Sequence, residues 1–244
     1  MNSLSRFFLN PAAWGDGPLV LSSEESHHCV RVLRQKVGDE VVVFDGEGRS
    51  VQGEIVEASK QEVMVQPTAS VMLQERSNEI RLIQAVPKAG NMELIVQKAV
   101  ELGIASIQPL ETDNTVAKAD AKKVEKWQRV ALEACKQCGQ NYLPQVMPAM
   151  KFSEWIQEDT PAQYCVVAAL DPRSEPIEEV LAALSMKQSV GLLVGPEGDF
   201  SAGEYDAAIA AGYLPVSLGS IVLRVETATL YCLSILKFAL ARLT

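Results

Sequence analysis

The chain has 244 residues, 48% hydrophobic and 22% charged, which is enough for a full core and, at roughly 150 residues per domain, for one to two domains. With 22 Lys and Arg against 31 Asp and Glu, its net charge of −9 has the wrong sign for a protein that coats nucleic acid through its whole surface. The longest apolar stretches, around Ser189 to Val194 and Ala228 to Leu236, fall short of the roughly 20 residues of a membrane span, and the start MNSLSRFFLN lacks a signal-peptide layout.

Up to about residue 75 the pattern is mostly β. Ser22 or Ser23 caps a predicted helix with Val30 and Leu33 facing inward, which ends before Gly38. Glu40 to Asp45 is a short strand, Asp45 and Gly46 form a turn pair, and Ser50 to Ala58 and Glu62 to Pro67 follow as strands, predicting a small barrel or sandwich. Residues 70–79 have no strong period and are the expected linker, dividing the chain at 72/73. Beyond it, strands and helices alternate. Ile80 to Val86 is a strand, Met92 to Leu102 a helix closed by Gly103, Ile104 to Pro109 a strand, and Ala121 to Cys138 a long helix closed by Gly139. Tyr164 to Leu170, Val190 to Val194 and Pro215 to Leu218 add strands with helices between them, and Glu226 to Leu243 is a last helix. Such alternation predicts an α/β fold with a largely parallel sheet.

Cys29, Cys135, Cys138, Cys165 and Cys232 follow no disulfide framework, which fits a reducing, cytoplasmic compartment. Cys135 and Cys138 form a CxxC without a second half, and His27, His28 and Cys29 point in different directions from a helix, so no metal site is expected.

Ligands of open α/β sheets sit outside the carboxyl ends of the strands. GxGxxG and GxxxxGK[ST] are both absent, which removes most support for Rossmann and NTPase readings. In their place Gly195, Pro196, Glu197, Gly198, Asp199, Phe200 and Ser201 follow VGLLV, and Ser201 with Glu204 forms a capping-box pattern. A second loop, Leu218 to Ala228 (LGSIVLRVETA), is apolar but for a few residues, among them Arg224 and Glu226. Its backbone must hydrogen-bond locally or to a ligand, unless Arg224 and Glu226 form only a buried structural ion pair.

These two loops together resemble the SPOUT class of methyltransferases, whose C-terminal segment threads a trefoil knot that holds S-adenosyl-L-methionine in a bent form. The remaining motifs are Arg6, Phe7 and Phe8, HHCVRVLR (His27 to Arg34), FDGEG (Phe44 to Gly48), PKAGNMELIVQKAVELG (Pro87 to Gly103) and EACKQCG (Glu133 to Gly139). In this order they are similar, nearly end to end, to the ribosomal RNA small subunit methyltransferase E family, whose members methylate N3 of one uridine in the decoding region of 16S rRNA. The resemblance implies a PUA-like, RNA-binding β-barrel over residues 1–72 and a SPOUT methyltransferase domain with a C-terminal knot over 73–244. It further implies a homodimer with cofactor sites near the subunit interface and 16S rRNA as partner, with an assembled small subunit favoured by the acidic charge. Carried over by position, Leu193, Val194, Gly195, Glu197, Gly198, Leu218, Gly219, Ser220 and Leu223 would hold the cofactor, mostly through backbone groups. Arg6, His28, Arg31, Arg34, Lys88 and Lys98 would meet RNA, Arg31 and Arg34 lying three apart on one predicted helix with Lys36 beyond. The chain departs from the family pattern at Asp199, where a second Gly is usual, and at Ile221 and Gln140, where Arg is usual.

The implied chemistry is demanding because uracil N3 holds its proton at neutral pH. A base, or a cationic donor that stabilises the anion developing on the flanking carbonyl oxygens, is therefore expected. Arg224 is the candidate catalytic residue, with Glu226 orienting it. The plainer alternative is that Glu197 and Glu226 only hold loops by accepting backbone N–H bonds. Rival readings are a tRNA or rRNA ribose methyltransferase of the same class, a non-catalytic ribosome-assembly factor, and a nucleotide-using small-molecule enzyme.

Overall fold

Alternation of burial builds the first half: Val41 and Val43 are fully buried on a strand whose first residue, Glu40, is exposed, and the next strand buries Val51 and Ile55. In the computed structural model, which describes residues 4–75, 79–88, 90–158, 162–182 and 189–241, the chain forms two compact units. The first comprises Met1–Arg76 together with Leu132–Leu143, the second Ser77–Ala131 together with Pro144–Thr244.

The first unit contains β1 (Ser5–Phe8), β2 (Leu19–Val20), α1 (Ser23–His27), β3 (Glu40–Phe44), β4 (Arg49–Ala58), β5 (Val63–Pro67) and β6 (Met72–Leu73). Its sheet runs β1-β3-β4-β5-β2, and β6, within the expected linker, pairs with β4. Ser22 caps α1 by accepting from the Glu25 N–H, but α1 continues only as a π-turn over His28–Val32. This corrects the expected helix. Cys29 is the fully buried residue of the segment, Val30 packs against the core half-buried, and Leu33 is 40% exposed. Arg34 lies beyond the turn at φ 56, so Arg31 and Arg34 do not share a helix.

The segment 132–143 completes this unit. Asp45, 1% exposed, accepts from the Glu47 and Arg49 N–H groups and pairs with Arg49, folding the β3–β4 turn tightly. Leu143 N–H then donates to Gly46 O and Gly48 N–H to Asn141 O. A Cβ on Gly48, at φ 106, would lie 2.6 Å from the Tyr142 ring, so the turn admits only glycine there. Lys136, its side chain 10% exposed, pairs with the 6% exposed carboxylate of Glu25, whose other oxygen accepts from Phe8 N–H.

The second unit alternates β7 (Ile80–Ala85), α2 (Asn91–Glu101), β8 (Ser106–Glu111), α3 (Ala121–Cys138), β9 (Gln145–Val146), β10 (Met150–Lys151) and α4 (Phe152–Glu158). It continues with β11 (Tyr164–Ala168), β12 (Glu175–Pro176), α5 (Ile177–Ala182), β13 (Val190–Val194), α6 (Ala202–Ala210), β14 (Leu214–Ser217) and α7 (Val225–Ala241). The last turns of α3 belong to the first unit. Expected Leu243 at the end of the last helix lies outside the described residues.

The eight-stranded sheet runs β10-β8-β7-β13-β11-β14-β12, with β9 on β8. Its pairings are all parallel among the described residues. β13 is buried throughout, as a central parallel strand covered on both faces must be. The core under α4 and α6 is aromatic, with Phe200 5.8 Å from Phe152 and 5.4 Å from Tyr205 between ring centroids. Gln84 on β7 is fully buried; its amide donates to Ala85 O, and its oxygen lies 2.6 Å from the Thr229 hydroxyl of α7. The core thereby satisfies a polar group that would otherwise be costly.

Candidate functional site

β7 leads to β8 on one side while β13 and β11 lie on the other, so the sheet reverses direction of winding at β7 and β13. At the carboxyl edge beside this reversal, the ends of β11, β13 and β14 enclose a cleft of about 280 Å³. Its walls are Ala168 to Leu170, Val194 to Glu197 with Asp199, and Leu218 to Val225 without Ser220 but with Ala228. Both loops singled out from the sequence meet here. Val194, Gly195, Glu197, Leu218, Gly219, Leu223 and Arg224 line the cleft.

Leu193 is instead fully buried core, and Ser220 and Gly198 lie outside the lining. A Cβ on Gly198 would come within 3.0 Å of Asn114 Cβ, and the Asn114 amide donates to the Gly198 and Asp199 carbonyls at 3.0 Å each. A side chain there would press on Asn114 under the loop rather than on the cleft face. The wall from β11 was missed: Leu170, 63% exposed, ends the strand read from sequence, and applying the carboxyl-end rule to that strand too would have found it.

The second loop leaves its backbone unspent. Gly219 N–H reaches the Ser217 hydroxyl oxygen at 3.4 Å, whereas among the described residues the N–H groups of Ser220, Ile221, Val222 and Leu223 donate to nothing in the protein. Ile221 and Val222 are 75% and 72% exposed. Four free donors on an apolar loop beside a cleft suit a ligand rich in acceptors.

The charged residues separate into those already engaged and those free. Glu197 Oε1 accepts from Lys88 N–H at 2.8 Å, and Glu226 Oε2 accepts from the Asn91 amide at 3.1 Å. The two glutamates thus hold Lys88 and Asn91, as in the plainer alternative, but with a side-chain amide as the donor to Glu226. Arg224 is exposed, lines the cleft and forms no ion pair with Glu226, so the buried structural pair is not formed and the Glu226 carboxylate is instead held by Asn91. It is the sole cation among the residues lining the cleft.

The expected RNA contacts divide similarly. Arg6 donates to Gln140 O at 3.3 Å and Asn141 Oδ1 at 2.5 Å and lies over the Phe44 ring, and burial lowers its pKa; it is a packing residue of the first unit. Lys98 pairs with Glu101 at 2.9 Å. Arg31, Arg34 and Lys88 are exposed, and His28 is half-buried.

A second cleft, of about 550 Å³, lies at the ends of β8 and β10. Its acidic groups are engaged internally: Glu204 accepts from Asp113 N–H and Ser201 N–H, Asp113 from the Ser201 hydroxyl, and Glu111 from Ala119 N–H. Among the described residues no group of His, Cys, Asp and Glu could hold a metal. No described helix is long and apolar enough to cross a membrane.

A PUA half, a parallel sheet and a cleft at its carboxyl edge define an RNA methyltransferase: the RNA methyltransferase domain family matches residues 74–237, and the RNA methyltransferase PUA domain matches 21–68. A relative from Synechocystis, named ribosomal RNA small subunit methyltransferase E, is 30% identical over 227 residues, 91% of this chain and 74% of its own. The chain belongs to the ribosomal RNA small subunit methyltransferase E family. Among solved structures, a Legionella pneumophila protein described as a methyltransferase in complex with SAM has a TM-score of 0.87 at 32% identity, covering 97% of this chain and 98% of that one. The Neisseria gonorrhoeae ribosomal RNA small subunit methyltransferase E, bound to S-adenosyl methionine, has a TM-score of 0.85 at 26% identity over the same shares.

Proposed function

We propose that the protein transfers a methyl group from S-adenosylmethionine to 16S rRNA of the small ribosomal subunit, at N3 of a uridine, as a step in ribosome biogenesis. The unspent N–H groups of Ser220 to Leu223, on a loop that lines a cleft at the carboxyl ends of β11, β13 and β14, are the observation that carries this reading. They suit the ring nitrogens and carboxylate of that cofactor, and the apolar walls at Leu170 and Ile221 suit its adenine. Bound there, S-adenosylmethionine supplies an activated methyl group, so alignment is most of what the protein must add. Arg224 supplies the cation that stabilises negative charge on the uracil carbonyls as N3 loses its proton. Glu197 and Glu226, spent on Lys88 and Asn91, hold the wall in place rather than touching the base.

The finer expectations belong to the same reading. The loop 218–224 and α7 form the threaded part of a trefoil knot. α7 buries Val225, Thr229, Cys232, Leu233, Leu236 and Leu240 yet leaves Tyr231 44% and Phe238 64% exposed, a surface suited to a second copy in a homodimer. With a net charge of −9 and few free cations, the protein favours an assembled ribosomal surface in the cytoplasm over naked RNA. Mapping methylated nucleosides in 16S rRNA from cells with and without the protein tests the function; unchanged methylation at every uridine N3 would refute it.

A further inference from the structure

Asp199 adopts φ 59, a left-handed conformation that residues bearing a Cβ avoid. Two donors hold it there through a single oxygen: Oδ1 accepts from the Phe200 N–H at 2.9 Å and from the Tyr205 hydroxyl at 2.6 Å. Tyr205 is 5% exposed, and burial together with the bond to Asp199 raises its phenol far above the ordinary range, so it stays a donor. Among the described residues Oδ2 has no partner, and Asp199 lines the cleft.

Three charged side chains line that cleft: Glu197, Asp199 and Arg224. Glu197 and Arg224 are exposed and screened by water and salt, whereas Asp199 is half-buried. The least screened charge contributes most to the local field, so the cleft is negative where Asp199 stands.

We propose that Asp199 is a charge selector, a specificity-determining residue that favours S-adenosylmethionine over its demethylated product. This rests on the reading of the cleft as the cofactor site. The two molecules share adenine, ribose and amino-acid parts and differ by one methyl group and one positive charge, sulfonium against neutral thioether. Contacts to the shared parts cancel in the ratio of the two affinities; a carboxylate does not. The spent product is thus held less firmly than the fresh cofactor.

Calorimetry on the full chain tests this with S-adenosylmethionine, S-adenosylhomocysteine and an analogue bearing an ammonium-substituted carbon in place of the sulfonium. Two variants remove the charge and keep the turn. Asp199→Asn retains an acceptor for Phe200 and Tyr205, and Asp199→Gly takes positive φ freely. In both, affinity for the two cationic ligands should fall on the order of tenfold relative to S-adenosylhomocysteine, the size expected of one partly screened unit charge. Equal losses for all three ligands would make Asp199 a support for the turn, and no change at all would leave it without a role; either overturns the selector. If the parental protein binds none of the three, the cofactor reading of the cleft falls first, an outcome distinct from the other two.

Discussion

Glu226 Oε2 accepts a hydrogen bond from the Asn91 side-chain amide at 3.1 Å, joining the first turn of α7 to the first turn of α2. The bond turns the carboxylate to a structural use and leaves Arg224 without an anionic partner on its own loop. Glu226→Gln should preserve it in large part, whereas Glu226→Ala and Asn91→Ala should each cost about 1 kcal/mol. Denaturant unfolding of the singles and the double checks this: additive losses would show that the two residues do not act as a pair.

Removal of Arg224 should cost turnover far more than cofactor affinity, because only interactions stronger in the transition state lower the barrier. The expected loss in Arg224→Ala is roughly 10²- to 10³-fold. Arg224→Lys should recover part of it, since an ammonium lacks the planar fork. Single-turnover methylation at saturating cofactor reads the effect, and near-parental turnover in the alanine variant would return Arg224 to a packing role.

At Gly198 the obstacle to a side chain is Asn114 Cβ, 3.0 Å from where a Cβ would stand. Gly198→Val should therefore weaken cofactor binding by pushing Asn114 off the Gly198 and Asp199 carbonyls. Asn114→Ala should weaken binding in the same direction through loss of those two bonds. Calorimetry showing unchanged affinity in both variants would separate the loop from the site.

Arg31 and Arg34 are exposed, whereas Arg6 is engaged with Asn141. The double alanine variant should weaken RNA binding without affecting cofactor affinity, and each lost phosphate contact should lower the slope of log affinity against log salt by about one. An unchanged slope would mean that the first unit meets RNA elsewhere.

Lys136 and Glu25 form a nearly buried pair, and removing one partner of such a pair typically costs about 3–5 kcal/mol. Lys136→Ala should approach the lower figure, because Glu25 keeps its bond from Phe8 N–H. Burial acts to lower the Lys136 pKa, but hydrogen bonds and charge from Glu133 and Glu25 outweigh it and raise the value above 10.5. The folded chain thus holds this proton more tightly than the unfolded chain. The resulting stability is complete below pH 10.5 and is lost as pH rises through the raised value. Unfolding measured across that alkaline range should show the loss in the parental protein and not in Lys136→Met.

Periodicity and glycine placement made the second unit legible. α3 spans Ala121–Cys138 as read, because its apolar face is regular and Gly139, at φ 85, ends it. The π-turn at His28–Val32 was not legible, since side-chain spacing does not distinguish a turn that widens after one helical coil. Both loops of the cleft were found, as glycines and an isolated cation leave a local signature. The partners of Glu197 and Glu226 were not, because Lys88 and Asn91 lie more than a hundred residues away and reach them only through the sheet. Asp199 makes both points: sequence marked it as a departure, and only the fold shows Tyr205 holding it.

The strand-rich unit is interrupted in sequence, and that has a consequence for how the chain is made. Lys136, Asn141 and Leu143 supply the ion pair to Glu25, the bonds to Gly46 and Gly48 and the anchor for Arg6. On a translating ribosome β1 to β6 emerge long before these residues. The nascent sheet must wait, with Glu25 unpaired and the β3–β4 turn uncovered, until Leu143 has cleared the exit tunnel. Completion of this unit is therefore tied to synthesis of α3, so the first part of the protein to be translated is not the first that can finish folding.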